Sequence, residues 1–257
     1  MAGRMTDMLL GPDDPAPFTL HNAAGTSPFL LIGDHAGDAI PSRLGDLGLS
    51  AGDRARHIAL DIGVRGLGEA LAERLNAAFL HQAYSRLVID CNRDPASAEA
   101  MPALSDGSRV PGNEALDDDS RAARIAAIHA PYHAAIAGVV AARAAGGQGT
   151  ILLALHSFTP VMAGHERPWH VGVLYWRGVT DFAVRMIRVL QDLGDWVVGD
   201  NEPYVMDDTD YTVPAHAFAQ GLAYAEIEVR QDLIGTSDGQ RLWADRLALA
   251  ARAAAGG

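Results

Sequence analysis

Apolar residues along the chain follow two periods that take turns. Phe29–Gly33, FLLIG, is a continuous run that breaks into the polar turn DHAGDAIP, and it predicts a short strand buried on both faces. Ile58, Ile62, Leu67, Leu71 and Leu75 then recur at helical spacing, which predicts one helix over about 54–76 with Asp53 as its cap. Residues 79–90 read as a strand whose buried end is LVID, and 150–160, TILLALHSFTP, as another that breaks into a polar turn at His156. HVGVLYW (170–176) and WVVGDNEPY (196–204) supply two more short strands, with a helix between them at Asp181–Leu193. In YAEIEVR (224–230) strict alternation sets Ala225, Ile227 and Val229 against Glu226, Glu228 and Arg230. Glu226 is expected on the solvent side of that strand. Ala-rich helices are predicted over 120–144, stopped by Gly146, Gly147 and Gly149, and from 238 to the C-terminus.

This alternation of strands and helices predicts a single α/β domain over 1–257. Its central sheet is mixed and mostly parallel, with helices on both faces. Residues 1–26, rich in Pro, Asp and Gly, read as an irregular lead-in. Residues 96–119 have no periodicity and are too long for an idle connector, so they are expected either to form a lid or substrate loop or to be simply mobile.

Composition narrows the partners. A chain that is 49% apolar and 20% charged can bury a core and is not disordered, and no apolar run approaches the ~18 residues of a bilayer span. A formal charge of −12 argues against nucleic acid or an anionic membrane. A small anionic substrate remains open if a few arginines focus positive potential in a cleft. Cys91 is the lone cysteine, which excludes an internal disulfide and a Cys-based zinc cluster. The first ten residues lack the apolar core and cleavage signature of a secretory signal, so a cytoplasmic protein is expected.

The reactive residues gather at strand ends, where side chains of an open α/β sheet project into a shared crevice. His35 and Asp38 form H-x-x-D after the first strand, and His156 follows a second. A hydrolytic metal site needs about three protein ligands, a position left for water and a base. Asp61, beside Ile62 and Gly63, is either an exposed helical carboxylate or a member of such a site. His57, His129 and His133 can stand behind the ligands, while His165 and His170 flank a loop without a commending spacing. Arg86 and Arg93 bracket the strand in SRLVIDCNR, with Asn92 next to the second. A guanidinium there either pairs with Asp90 or Asp94 to hold the turn, or clamps a substrate carboxylate and polarises a carbonyl. Glu228 is either solvent-facing or, in a closed cleft, the base.

Six segments in order, DHAGDAIP, HIALDIG, YSRLVIDCNRDP, ALHSFTP, GDNEPY and EIEVRQDL, resemble the N-formylglutamate amidohydrolase family over about 29–233. That family is similar, more distantly, to zinc carboxypeptidases and aspartoacylase-type deacylases, which share an α/β fold with a mixed sheet. The resemblance implies one Zn2+ ion held by His35, His156 and either Asp61 or Asp38. Glu228 is implied as base, Asn92 and Arg93 as the carboxylate clamp, and Arg86 as carbonyl polariser. Asp38 departs from the glutamate expected at its place, and its shorter side chain favours Asp61. Nickel, cobalt or iron would also tolerate such ligands. The implied reaction removes a small N-acyl group, formyl first, from an acidic amino acid such as glutamate. The alternatives are a deacylase or peptidase of the same fold acting on another amide, and a non-catalytic protein that binds an anionic ligand.

Overall fold

The computed structural model describes residues 9–256. Most of the stretch weighed as a possible secretory signal, residues 1–8, therefore lies outside the described residues. In chain order the strands are β1 (Phe18–His21), β2 (Phe29–Gly33), β3 (Ala78–Gln82), the hairpin β4 (Leu104–Ser105) and β5 (Ser108–Arg109), then β6 (Ile151–Phe158). There follow the hairpin β7 (Val161–Met162) and β8 (His165–Glu166), β9 (Val171–Leu174), β10 (Val198–Asp200) and β11 (Ala223–Arg230). The helices are α1 (Ala51–Arg54), α2 (Val64–Leu75), α3 (Asp118–Arg124), α4 (Ala130–Ala145), α5 (Asp181–Leu193), α6 (Thr212–His216) and α7 (Ser237–Ala255).

Seven strands form one mixed sheet in the order β1-β3-β2-β6-β11-β9-β10. β3, β2, β6 and β11 run parallel, β1 is antiparallel to β3, and β9 is antiparallel to β11. This is the expected α/β architecture, with both faces covered. One face carries α2, α5 and α7 over Leu31, Phe79, Leu153 and Ile227. The other carries α4, through Tyr132, Ile136 and Val140, over Leu30, Leu152 and Ala154. The side-chain alternation of each strand then decides which chemistry-bearing residues share a face. His156 is in phase with Leu152 and Ala154, and Glu226 and Glu228 are in phase with Tyr224, so all three lie on the α4 side.

Four sequence expectations change. The lead-in is not wholly irregular, because Phe18–His21 adds an antiparallel edge strand with Phe18 opposite Gln82. The helix expected over 54–76 is two pieces: α1, capped by the Ser50 side chain rather than by Asp53, and α2, which begins after Gly63 at φ 86°. The strand expected over 79–90 ends at Gln82, and Leu87–Asp90 are buried in a turn. Finally, His156 lies inside β6 rather than after it.

The helical run Asp118–Ala145 is long and apolar enough by composition to cross a membrane, a length that the sequence reading did not credit. Its hydropathy comes largely from alanine, and its large apolar residues pack on the sheet. Residues Ile125–His129 form a π-helical turn within this run. Pro131 explains the wider turn, since it has no N–H to return to the preceding turn.

Candidate active site

The carboxyl ends of β2 and β6 bring two imidazoles together, with ring centroids 4.9 Å apart. His35 lies just past β2, and the loop after α1 folds back onto it, the Asp61 N–H donating to the His35 carbonyl at 2.9 Å. That loop can turn sharply there because Gly63 adopts a left-handed φ and a Cβ would stand 2.2 Å from the Ile234 carbonyl oxygen. Asp61 is consequently buried. Its Oδ2 lies 2.9 Å from Nδ1 of His156 and 3.5 Å from Nδ1 of His35. One ligand atom from each of His35, Asp61 and His156 falls within 4.8 Å of the others, the spacing of a group able to hold a single ion. Asp38 is exposed and is not part of this group, so the H-x-x-D spacing does not bring both of its residues to one point.

A ring of carboxylates stands behind the imidazoles. Nε2 of His35 meets Asp90 Oδ1 at 2.7 Å, and Nε2 of His156 lies 3.5 Å from Asp34 Oδ2. Asp34 is held in turn by the hydroxyls of Tyr132 and Thr212, each donating to Oδ1 at 2.8 Å. Asp90 accepts Nε and Nη2 of Arg86 at 3.0 and 2.6 Å, and Nη1 of Arg86 lies 3.6 Å from Asp61. Arg86 thus both pairs with Asp90, as the turn-holding alternative requires, and faces the cluster.

Burial and charge oppose each other at every group. Burial alone would raise the Asp61 and Asp90 carboxyls. His35 and His156 outweigh it for Asp61, as Arg86 and His35 do for Asp90, and both are held below the usual range. Burial disfavours a charged His156, yet Asp34 and Asp61 hold its pKa well above that of free imidazole. On β11, burial pushes the Glu226 and Glu228 carboxyls up to about 8.

These groups open onto a cavity of about 610 Å³ whose lining includes His35, Asp61, Arg86, His156, Glu226 and Glu228. Parallel pairing places Glu228 directly opposite His156. Glu226, expected to face solvent, is instead buried in the same wall. Arg93 and Asn92 also line the cavity, but both are engaged. Asn92 Oδ1 accepts the backbone N–H groups of Tyr211 and Thr212 at 3.0 and 2.9 Å, while its Nδ2 donates to Asp210. Nη1 of Arg93 lies 3.4 Å from Asp210 Oδ1, and its Nε is 3.6 Å from Glu99. The 96–119 segment contributes Ser105 and Asp106 from the β4–β5 hairpin. His57 lines the cavity from a turn rather than a helix, beside Asp106.

The donor set fits a divalent transition ion. It comprises two imidazoles and a carboxylate with outer carboxylates fixing the rings, and Nδ1 of His35 is buried without a hydrogen-bond partner. Sequence reasoning assigned no role to Asp34, and it cast Asp90 only as a turn partner. The available signals were local: Asp34 directly precedes His35, and Asp90 closes an apolar run. Glu226 sits two residues before Glu228 on one strand, so the two share a face by geometry.

Residues 27–235 match the family described as N-formylglutamate amidohydrolase. A solved structure of a gene product from Agrobacterium tumefaciens is 34% identical, covers 96% of this chain and 98% of its own, and superposes with a TM-score of 0.93. The structure of N-formylglutamate amidohydrolase from Ralstonia eutropha is 23% identical over 94% of this chain and 98% of that one, with a TM-score of 0.66, and attests the shared fold. No curated protein matches the chain. With the family's match running through β2, β6 and β11, the strands that carry the cluster, the chain belongs to the N-formylglutamate amidohydrolase family, hydrolases acting on an amide.

Proposed function

We propose that this amidohydrolase requires one divalent ion, zinc first among the candidates, and removes the N-formyl group of an acidic amino acid such as N-formyl-L-glutamate. The observation that carries this reading is the meeting of His35, Asp61 and His156 in one cavity with Glu228 opposite His156. When bound by those three residues, the ion supplies Lewis-acid polarisation of the amide carbonyl and lowers the pKa of water.

The chain's own groups do the rest. In its ionised form Glu228 accepts the proton of the attacking water as oxygen bonds to the formyl carbon. The C–N bond then breaks, Glu228 returns that proton to the departing amine, and formate and glutamate result. Arg86, oriented by Asp90 with Nη1 turned toward Asp61, donates to the oxygen that gains charge during attack. Arg93 supplies positive charge for a substrate carboxylate. Asn92 serves that role indirectly by tying residues 210–212 beside it.

The test combines metal analysis with turnover. Purified protein is expected to carry about one ion per chain and to release formate from N-formylglutamate. Replacing Glu228 by Gln keeps the shape but removes the base, and kcat is expected to fall by about 10²- to 10⁴-fold with the metal retained. A variant as fast as the parent would remove Glu228 from the role of base. Comparing kcat/KM across N-formyl, N-acetyl and peptide substrates separates this reading from a deacylase or peptidase of the same fold.

A further inference from the structure

The cations around the cavity differ in how far they are already neutralised. Arg86 is paired with Asp90, and Arg93 stands between Asp210 and Glu99. Arg167, which follows the β7–β8 hairpin, makes no ion pair with any described residue. Its Nη1 donates to the Tyr204 hydroxyl at 3.0 Å and lies 3.5 Å from Thr159 Oγ1. Its guanidinium also stacks 4.8 Å from the Tyr204 ring centroid and 5.8 Å from that of Phe158. Phe158, Thr159 and Tyr204 all line the cavity that holds Glu228.

This arrangement suits an anion. The Tyr204 oxygen accepts from Arg167, and its own O–H finds no acceptor among the described residues. A phenol polarised by a guanidinium presents one donor, and the rest of the planar fork presents others. Ring stacking fixes the fork in place, so less freedom is lost when an anion docks. Arg93 lines the cavity from the segment after β3, while Arg167 stands behind the lining residues Phe158, Thr159 and Tyr204 in the segment after β6, so the two cations lie on different loops. An N-acylated acidic amino acid carries two carboxylates that diverge from one carbon.

We propose that Arg167 and the Tyr204 hydroxyl form a second anion anchor that binds one of the substrate's two carboxylates, leaving the other to Arg93, and so select acidic amino acids. This rests on the reading given under Proposed function, and it names the residues that set the substrate class. Arg167 is a binding residue, and its loss acts on recognition more than on the chemical step.

The test is calorimetric and kinetic. L-glutamate, L-glutamine and isoglutamine are titrated into the metal-loaded parent, into Arg167→Gln and into Tyr204→Phe, which keeps the ring and its stacking. The parent is expected to bind glutamate more tightly than both amides. Arg167→Gln is expected to lose about 10- to 100-fold in glutamate affinity, the worth of a charge-assisted pair, and little toward the amide that lacks the anchored carboxylate. Tyr204→Phe is expected to lose less, in the same direction. In turnover of N-formylglutamate, KM rises by a similar factor while kcat changes little. Discrimination that collapses against either amide supports the anchor and identifies its carboxylate. A parent that binds glutamate no better than the amides, or an Arg167→Gln protein that melts like the parent and keeps the full preference, overturns it. Hydrolysis by the parent is read separately. A parent that binds glutamate selectively but releases no formate would sink the proposed reaction and leave the anchor standing.

Discussion

Each imidazole of the cluster has a carboxylate near both of its nitrogens, and the nearer one is the outer Asp90 for His35 and the inner Asp61 for His156. Asp90 only accepts, so Nε2 of His35 donates to it at 2.7 Å, and this contact turns Nδ1 toward Asp61. Asp90→Asn replaces an acceptor-only group with one that also donates and frees Arg86 from its ion pair. Metal affinity, measured by competition with a chelator, is expected to drop by about 10- to 100-fold. Asp34→Asn should act more weakly on His156, because that contact is 3.5 Å rather than 2.7 Å. Equal affinities in parent and Asp90→Asn would mean that His35 is oriented by packing alone. The single-residue chemistry was partly legible: the two histidines, Glu228 and Arg86 stand in one site, whereas Asp38 has the spacing but is turned to solvent. A spacing of three in a turn fixes sequence distance and not direction, which is why Asp38 and His35 part company.

Among elements, the strands were easier to find than their ends. LVID is apolar because it is buried under α4 and not because it pairs, and an apolar run without alternation does not distinguish a strand from a covered turn. Asp61 was hard to place for the opposite reason. Its neighbours continue a helical period, yet the chain leaves the helix after Arg54, and α2 begins only past the left-handed Gly63, once the carboxylate has been turned inward. β9 makes a further demand that no period announces. Gly172 lies opposite Glu228 in the antiparallel pair with β11, and a Cβ there would stand 1.8 Å from the Glu202 carbonyl oxygen. The 201–205 segment that carries Tyr204 can rest against the sheet only because this position is bare. Gly172→Ala must push that backbone away, at a cost of about 1–3 kcal/mol, read as a lower melting temperature. KM for N-formylglutamate should rise as Tyr204 is displaced, more than KM for N-formylglutamine does. An unchanged melting temperature would show that the segment yields without cost.

At the scale of the whole molecule, composition and alternation announced an α/β sheet covered on both faces. The antiparallel pairings of β1 at one edge and of β9 beside β11 depend on contacts that no local pattern encodes. The same is true of a buried histidine group behind the site. His129, His133 and His216 come from the α4 region and from α6, and Nδ1 of His133 lies 2.9 Å from Nε2 of His216 while its Nε2 donates to the Cys91 carbonyl at 2.9 Å. The charged and titratable groups around His133 are His129, His216, Asp34, Tyr132, Tyr211 and Cys91. Burial, reinforced by His129, pushes the His133 pKa down to about 3, with Asp34 opposing. A folded pKa below the unfolded value of about 6.5 means that the unfolded chain takes up the proton first. The stability from keeping His133 neutral is thus complete above about pH 6.5 and drains away as the pH falls toward 3. Asp34 and Asp90, whose pKa values are lowered, give up theirs only below the usual carboxylate range, whereas Glu226 and Glu228, raised to about 8, add stability as the pH falls toward 4.5. The His133 contribution, on the order of a few kcal/mol, is read by following melting temperatures of the parent and of a His133 variant side by side from pH 7.5 to 4.5. In His133→Gln, which keeps a polar side chain without a titrating ring, the stability at pH 7.5 should be lower than the parent's, and the difference should narrow toward pH 4.5. The carboxylates are common to both proteins and cancel in the comparison, so parallel curves would show that His133 is protonated within the fold at no cost.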